Sequence, residues 1–312
     1  MAEKSRQKLN RKNISDYNLK VYKEFRRSLK HIVFDETLTL YIFRPIAFIF
    51  VKMLYRTNVT PNQISFASIL VGILAGIMFA HGTYTYFIVG GLLYTFSIVL
   101  DCVDGMIARL KKNGTAIGRL IDGVADYLVG IAVYVGMALG LEEAGVHLPL
   151  NTWLVFCVAA VSHIFHVMIV DYYRVEFMAH ALGKIESPWE ERQKFTAELN
   201  RIRFEKGKWL EKIVISIYIG YSHLQLFRSP KHETYDSKKY YQGNKLLIRL
   251  WFWIGPTAHG VVIIISAFLY RPAIWLIYTL FLANIWMLVI WIIQVQVKKK
   301  IRQESPPTLE TS

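Results

Sequence analysis

The chain has 312 residues, 54% of them hydrophobic and only 19% charged, yet its formal net charge is +14 and its mean hydropathy +0.30. It is too apolar for an ordinary soluble globule, which carries roughly 25% charged residues. The composition excludes a disordered or fibrous chain and argues against a soluble nucleic-acid binder; basic charge on an apolar chain marks an integral membrane protein with cytoplasmic loops. Cys102 and Cys157 both lie in apolar runs and supply neither a disulfide framework nor a thiolate metal site. The first long apolar run begins near Leu38, too far in and too long for a cleaved signal peptide.

Taken in order, residues 1–37 read as a basic cytoplasmic arm, with Lys4, Arg6, Lys8, Arg11 and Lys12. Residues 38–57 are apolar but carry Arg44, Lys52 and Arg56, with Pro45 interrupting them. They read as an interfacial amphipathic helix whose basic side chains snorkel to headgroups. A spanning helix needs about 20 apolar residues. Six stretches qualify: 62–80, 84–108, 118–141, 150–173, 246–270 and 272–297. Gly72 and Gly76 on the first, and Gly136 and Gly140 on the third, have the spacing of close helix packing. Pro256 is expected to kink the fifth. A weaker run at 209–227 contains Glu211, Lys212 and His223.

Charge gives the expected direction. With six spans and both termini inside, the only far-side Lys or Arg outside the helices is Arg271, while Lys298, Lys299, Lys300 and Arg302 join the N-terminal basic residues on the inside. Counting 38–57 or 209–227 as a span would strand one basic terminus outside. The expected fold is an all-α membrane protein with six transmembrane helices, the interfacial helix and a long cytoplasmic insertion between spans four and five. Spans one to four form a catalytic membrane core over 58–173. The insertion covers 174–245, spans five and six 246–297, and a basic then disordered cytoplasmic tail 298–312.

The cytoplasmic end of the second span reads Asp101-Cys102-Val103-Asp104-Gly105-Met106-Ile107-Ala108-Arg109, and the third opens Gly118-Arg119-Leu120-Ile121-Asp122-Gly123-Val124-Ala125-Asp126. Each carboxylate would cost roughly 2.5–3.5 kcal/mol at the bilayer centre. Four together need a compensating charge even near the interface. Asp101 and Asp104 are i,i+3 and share a face; Asp122 and Asp126 are i,i+4 and share another. A short link makes the two helices an antiparallel hairpin in which all four can converge. An oxygen-only cluster suits Mg²⁺ or Mn²⁺, commonly with substrate phosphates completing the shell. Gly105 and Ala108 leave the face bare for a ligand, and Arg109 can pair with phosphate. Intramembrane carboxylates also build ion paths, so a Mg²⁺ or proton-coupled transporter is the reading from another class.

The string resembles the signature of the CDP-alcohol phosphotransferase (CDP-alcohol phosphatidyltransferase) family, Asp-x2-Asp-Gly-x2-Ala-Arg-x8-Gly-x3-Asp-x3-Asp. Asp101, Asp104, Gly105, Ala108, Arg109, Gly118, Asp122 and Asp126 match it with every gap intact. Pro61-Asn62 and Thr115 are further family-like features. The resemblance implies six spans, a cytoplasmic active site in a membrane enzyme of phospholipid biosynthesis, and a homodimer. It implies a CDP-linked donor, an acceptor hydroxyl attacking the β-phosphorus, and release of CMP. Asp101, Asp104 and Asp122 would be metal ligands. Asp126 would be the general base and a ligand of a second metal. Gly105, Ala108, Arg109, Thr115, Gly118 and Asn62 would contact the donor. CDP-diacylglycerol with a small alcohol acceptor is the expected pairing, in contact with membrane lipids and with no nucleic acid; a water-soluble CDP-alcohol with a lipid or phosphorylated polyol acceptor is the alternative. Gly123 stands where phosphotransferases acting on diacylglycerol typically have His, which argues against that branch. His163 and His166 read as packed histidines and His259, after Pro256, suggests no function, while Asp171 and Arg174 read as an interfacial pair or part of an acceptor pocket.

Overall fold

The computed structural model describes residues 19–29, 35–112, 116–182, 188–205, 207–225 and 235–304, with only the backbone described over 116–125. Among these residues the secondary structure is helical throughout, without strands. A short helix α1 (19–28) precedes a π-helical turn, Thr39–Phe43, that runs into α2 (Arg44–Leu54). The long helices follow: α3 (Pro61–Ala80), α4 (Tyr84–Lys111), α5 (Ala116–Glu143) and α6 (Thr152–Leu182). Then come α7 (Pro188–Ile202), α8 (Trp209–Gln225), α9 (Ser237–Trp251), α10 (Pro256–Phe268), α11 (Ala273–Ile277) and α12 (Ala283–Glu304).

Among the described residues, five helical stretches are long and apolar enough to cross a membrane: Pro61–Ala80, Tyr84–Lys111, Thr152–Leu182, Ser237–Phe268 and Ala273–Gln303. They coincide with the expected first, second, fourth, fifth and sixth spans. The expected third is α5, 28 residues long, whose first ten side chains lie outside the described residues. The outward faces are apolar, with Phe66, Leu70 and Ile77 exposed on α3 and Val158, Val161 and Phe165 on α6. Such surfaces belong against lipid. The chain is an integral membrane protein.

Local signals explain where α3 and α4 begin and end. At the start of α3 the Thr60 hydroxyl accepts from the Gln63 N–H at 3.3 Å, while the Gln63 side chain accepts from the Thr60 N–H at 3.0 Å. Pro61 fills the first helical position, where a missing N–H costs nothing. Lys112 closes α4 in the left-handed region at φ 54°.

Helix α3 is the central post, packing along both α4 and α5. The expected glycine contacts form at its crossing with α5: a Cβ at Gly136 would stand 2.7 Å from the Gly76 carbonyl carbon, and one at Gly72 would meet Val129. The expected α4–α5 hairpin packing differs. Among the described residues these helices each pack on α3 far more than on one another.

Three sequence expectations change here. Arg44 does not reach toward headgroups. It is buried and donates to Asp35 at 2.8 Å, while Lys52 pairs with Glu24 of α1. The arm therefore ends in built structure: Asp35 and Glu36 are both buried. Glu36 accepts from the Thr257 N–H at 3.0 Å, capping the start of α10, where Gly255 brings no side-chain cap. Lastly, the fifth span is no single kinked helix. A 3-10 turn, Phe252–Ile254, and Gly255 separate α9 from α10, and Pro256 opens α10. The insertion is largely helical. α6 extends to Leu182, α7 and α8 pack together around Phe195, Ile202 and Ile215, and α9 begins at Ser237.

Candidate active site

Asp101 and Asp104 fall near the C-terminal end of α4, as their spacing requires. Asp104 is buried, and its Oδ2 accepts a 2.6 Å hydrogen bond from the Ser65 hydroxyl, one turn into α3. Asp101 is half-buried beside it. Asp126 is exposed on α5, within electrostatic range of Tyr94 on α4 and of its neighbour Tyr127. The helices thus set three of the four expected carboxylates around the α3 post. The Asp122 side chain, Thr115 and the surroundings of Gly118 lie outside the described residues. Asn62 is exposed in the first turn of α3. Among the described residues, no three His, Cys, Asp or Glu side chains form a ready-made metal cluster.

The face of α4 beside the aspartates is not bare. The Arg109 guanidinium folds back over Gly105, with Nη1 and Nη2 each 3.4 Å from where a Cβ would sit. Its Nε donates to the Ser28 carbonyl of α1 at 2.6 Å, and its buried Nη2 has no hydrogen-bond partner. A Cβ at position 105 would meet the guanidinium at ordinary van der Waals distance, so this posture of Arg109 does not itself require glycine there.

On the insertion side, Asp171 and Arg174 form an ion pair on α6. Tyr221 of α8 lies within electrostatic range of both, and of Tyr127. Burial, then the nearby Asp171 carboxylate, push the Tyr221 phenol far above the usual tyrosine range, so it stays protonated. Deeper in, the histidines form a packed polar core. Tyr134 OH and His163 Nδ1 are 2.6 Å apart, His166 Nδ1 and His259 Nε2 3.2 Å, and Thr279 Oγ1 and His259 Nδ1 3.3 Å.

Residues 58–188 match the CDP-alcohol phosphatidyltransferase family. The match takes in α3 to α6, both signature helices among them, and under half of the chain. Three curated proteins show the likeness. A ceramide phosphoethanolamine synthase of Drosophila melanogaster is 35% identical over 127 residues, covering 37% of this chain and 32% of that protein. An archaetidylinositol phosphate synthase of Pyrococcus horikoshii is 29% identical, covering 28% and 46% respectively. A phosphatidylinositol phosphate synthase of Mycolicibacterium smegmatis is 28% identical, covering 32% and 44%. The matched part is about a third of the fly protein and under half of the other two. The family uses CDP-linked donors and alcohol acceptors in lipid synthesis and is generally dependent on a divalent metal.

The residues present suit such a metal. Asp101, Asp104, Asp122 and Asp126 offer oxygen alone, the donor set of a hard divalent cation. The Ser65 hydrogen bond to Asp104 is of the kind that would orient that carboxylate toward a bound cation. Ser65 was not singled out from the sequence. Its signal was available: a hydroxyl in the first turns of an otherwise apolar span, at the depth of the aspartates. Ser28, Asp35 and Glu36 gave less warning, because charged residues beside a basic arm look solvated.

Proposed function

We propose that this protein transfers a substituted phosphate group from a CDP-linked donor to an alcohol, releasing CMP, in phospholipid biosynthesis. The observation that carries the reading is the complete paired-aspartate signature on α4 and α5, with Asp104 oriented by Ser65. Asp101, Asp104, Asp122 and Asp126 would hold Mg²⁺ or Mn²⁺, which when bound neutralises pyrophosphate charge and eases departure of CMP. Asp126 takes the proton of the acceptor hydroxyl. The hydroxyl oxygen then forms a bond to the β-phosphorus as the bond from that phosphorus to the oxygen of CMP breaks. Arg109 presents its buried Nη2 donors to a phosphate oxygen. Gly105, Ala108, Asn62, Thr115 and Gly118 line the donor. The membrane frame we propose is six spans, α5 supplying the sixth, with both termini and the aspartates cytoplasmic and the chain a homodimer. Within that frame, residues 58–173 are the catalytic core.

The first reading of the substrates is a phosphatidyl group from CDP-diacylglycerol passed to a small polar alcohol. The relatives named for inositol phosphate lipids accord with a polar acceptor. A second reading, a water-soluble CDP-alcohol donor with a lipid acceptor, is favoured by the fly relative, whose named product carries phosphoethanolamine on ceramide. Purified protein given Mg²⁺ and either CDP-diacylglycerol with a panel of polar alcohols, or CDP-ethanolamine with a panel of lipid alcohols, separates them. The pairing that releases CMP and yields a new lipid by mass spectrometry is the substrate pair. CMP release with neither donor would sink the enzymatic proposal and favour the transporter reading.

A further inference from the structure

The insertion contains a helix that is apolar on two faces. One face of α8, with Val214 and Ile215 buried, packs against α7 and toward α5 and α6. The other is exposed and holds Trp209, Ile213, Ser216, Ile217 and Gly220 at positions recurring every three or four residues. This exposed stripe runs for about three turns without a charge. Its large residues are open: Trp209 is 62% exposed, Ile213 50% and Ile217 52%.

The neighbours of α8 indicate what covers this stripe. Helix α7 lies on its other side and is amphipathic in the usual sense. Phe195 and Ile202 turn toward α8, while Gln193, Ala197 and Asn200 are exposed. The hairpin is therefore polar on the α7 side and apolar on the α8 side. Helix α8 packs against α5 and α6, whose own exposed residues include Leu128, Ile131, Ile164 and Phe165. The stripe thus continues the apolar surface of two long membrane helices. Just before α8, Phe204 is 87% exposed with Arg203 over its ring, and Lys208 adjoins Trp209. Aromatic and basic residues together at one end are what a headgroup layer accommodates.

We infer that α8 is seated in the cytoplasmic leaflet, its Trp209–Ile213–Ile217 stripe against acyl chains and Phe204 and Trp209 at the headgroup level. A helix with an apolar exposed stripe, charges at one end and a polar companion helix on its other side lies in the interface and does not cross it. Glu211 and Lys212, at one end and off the stripe, fit that placement. The lipid-seated helix holds Tyr221 within electrostatic range of the Asp171–Arg174 pair on α6.

Site-directed spin labelling tests the placement. In a Cys157→Ala background, which removes the exposed native cysteine and leaves buried Cys102, the full chain carries one nitroxide at Ile213→Cys, Ile217→Cys or Gln193→Cys. Each protein is reconstituted into phosphatidylcholine–phosphatidylglycerol vesicles, and its relaxation by oxygen is compared with that by a water-soluble nickel chelate. Labels at 213 and 217 are expected to favour oxygen severalfold over the label at 193, which favours the chelate. Two surface positions on the stripe keep the test intact if one variant fails to fold. Chelate access at 213 and 217 equal to that at 193 would place the stripe in water and overturn the inference. Shielding from both reagents, with dipolar broadening between labels, would give the stripe to a second copy of the chain and overturn it as well.

Discussion

Replacing Gly136 by alanine probes the crossing that holds α5, and with it Asp126, against the α3 post. The new Cβ would stand 2.7 Å from the Gly76 carbonyl carbon, whereas ordinary contact begins at 3.4 Å. The two helices must then part by at least 0.7 Å (3.4 minus 2.7), because the obstacle is main chain and has no rotamer to change. Overpacking of this kind costs about 1–3 kcal/mol. Asp126 lies ten residues along the same helix, roughly 15 Å away, and a shift approaching 1 Å in a catalytic group costs about 100-fold in rate. Gly130→Ala is the internal control, since a Cβ there meets nothing within 4 Å. It should be neutral or stabilise α5 by about 0.5–1 kcal/mol through lost chain entropy. The assay pairs thermal unfolding in detergent with CMP release in the same preparations. Gly136→Ala with wild-type melting temperature and turnover would show that the crossing neither sets the stability of α5 nor positions Asp126.

Asp126→Asn should keep the fold and lose about 10²–10⁴ in turnover; full CMP release by this variant removes the base assignment. Ser65→Ala takes away the 2.6 Å hydrogen bond to Asp104, and loss of such a support lowers metal affinity by about 10–100-fold, read as a rightward shift in the Mg²⁺ dependence of activity. An unchanged Mg²⁺ curve would make that contact purely structural. Asp35→Ala strands the Arg44 guanidinium, whose side chain is only 6% exposed, and breaking a buried pair from one side costs about 3–5 kcal/mol. A large fall in melting temperature is expected, whereas a fall no greater than that of an exposed-pair control such as Glu198→Ala would show that water reaches the Arg44–Asp35 pair.

Legibility followed the range of the physical signal. The paired aspartates could be read because i,i+3 and i,i+4 spacing alone puts them on shared faces, and the α3–α5 crossing because Gly72, Gly76, Gly136 and Gly140 keep a four-residue period. The break at Pro256 was legible as a disturbance but not in its form. The α10 cap comes from Glu36, 221 positions before the Thr257 N–H it accepts from. Arg44 shows the limit most clearly. Its helical phase with Lys52 was correct, but a basic stripe can be satisfied by headgroups or by carboxylates. The carboxylates, Asp35 and Glu24, sat in a segment whose charge read as solvated.

That segment changes how the membrane core is held. Ser28 gives its carbonyl to Arg109, Asp35 takes Arg44, and Glu36 caps α10, so these three residues reach α4, α2 and α10 respectively. Helix α10 meets α4 on one side and α6 on the other, and Arg174 of α6 lies within electrostatic range of Glu36. Ser28, Asp35 and Glu36 therefore tie three separate helices, one of them the helix that carries Asp101 and Asp104. Without them, Arg109 and Arg44 would remain close together with the carbonyl and the carboxylate that accept from them both gone. The signature arginine owes its posture over Gly105 to a backbone carbonyl of α1, outside the matched domain. The signature motif and Ser28 are in this sense one structural unit, and the posture of Arg109 over Gly105 is set as much by the Ser28 carbonyl as by α4 itself.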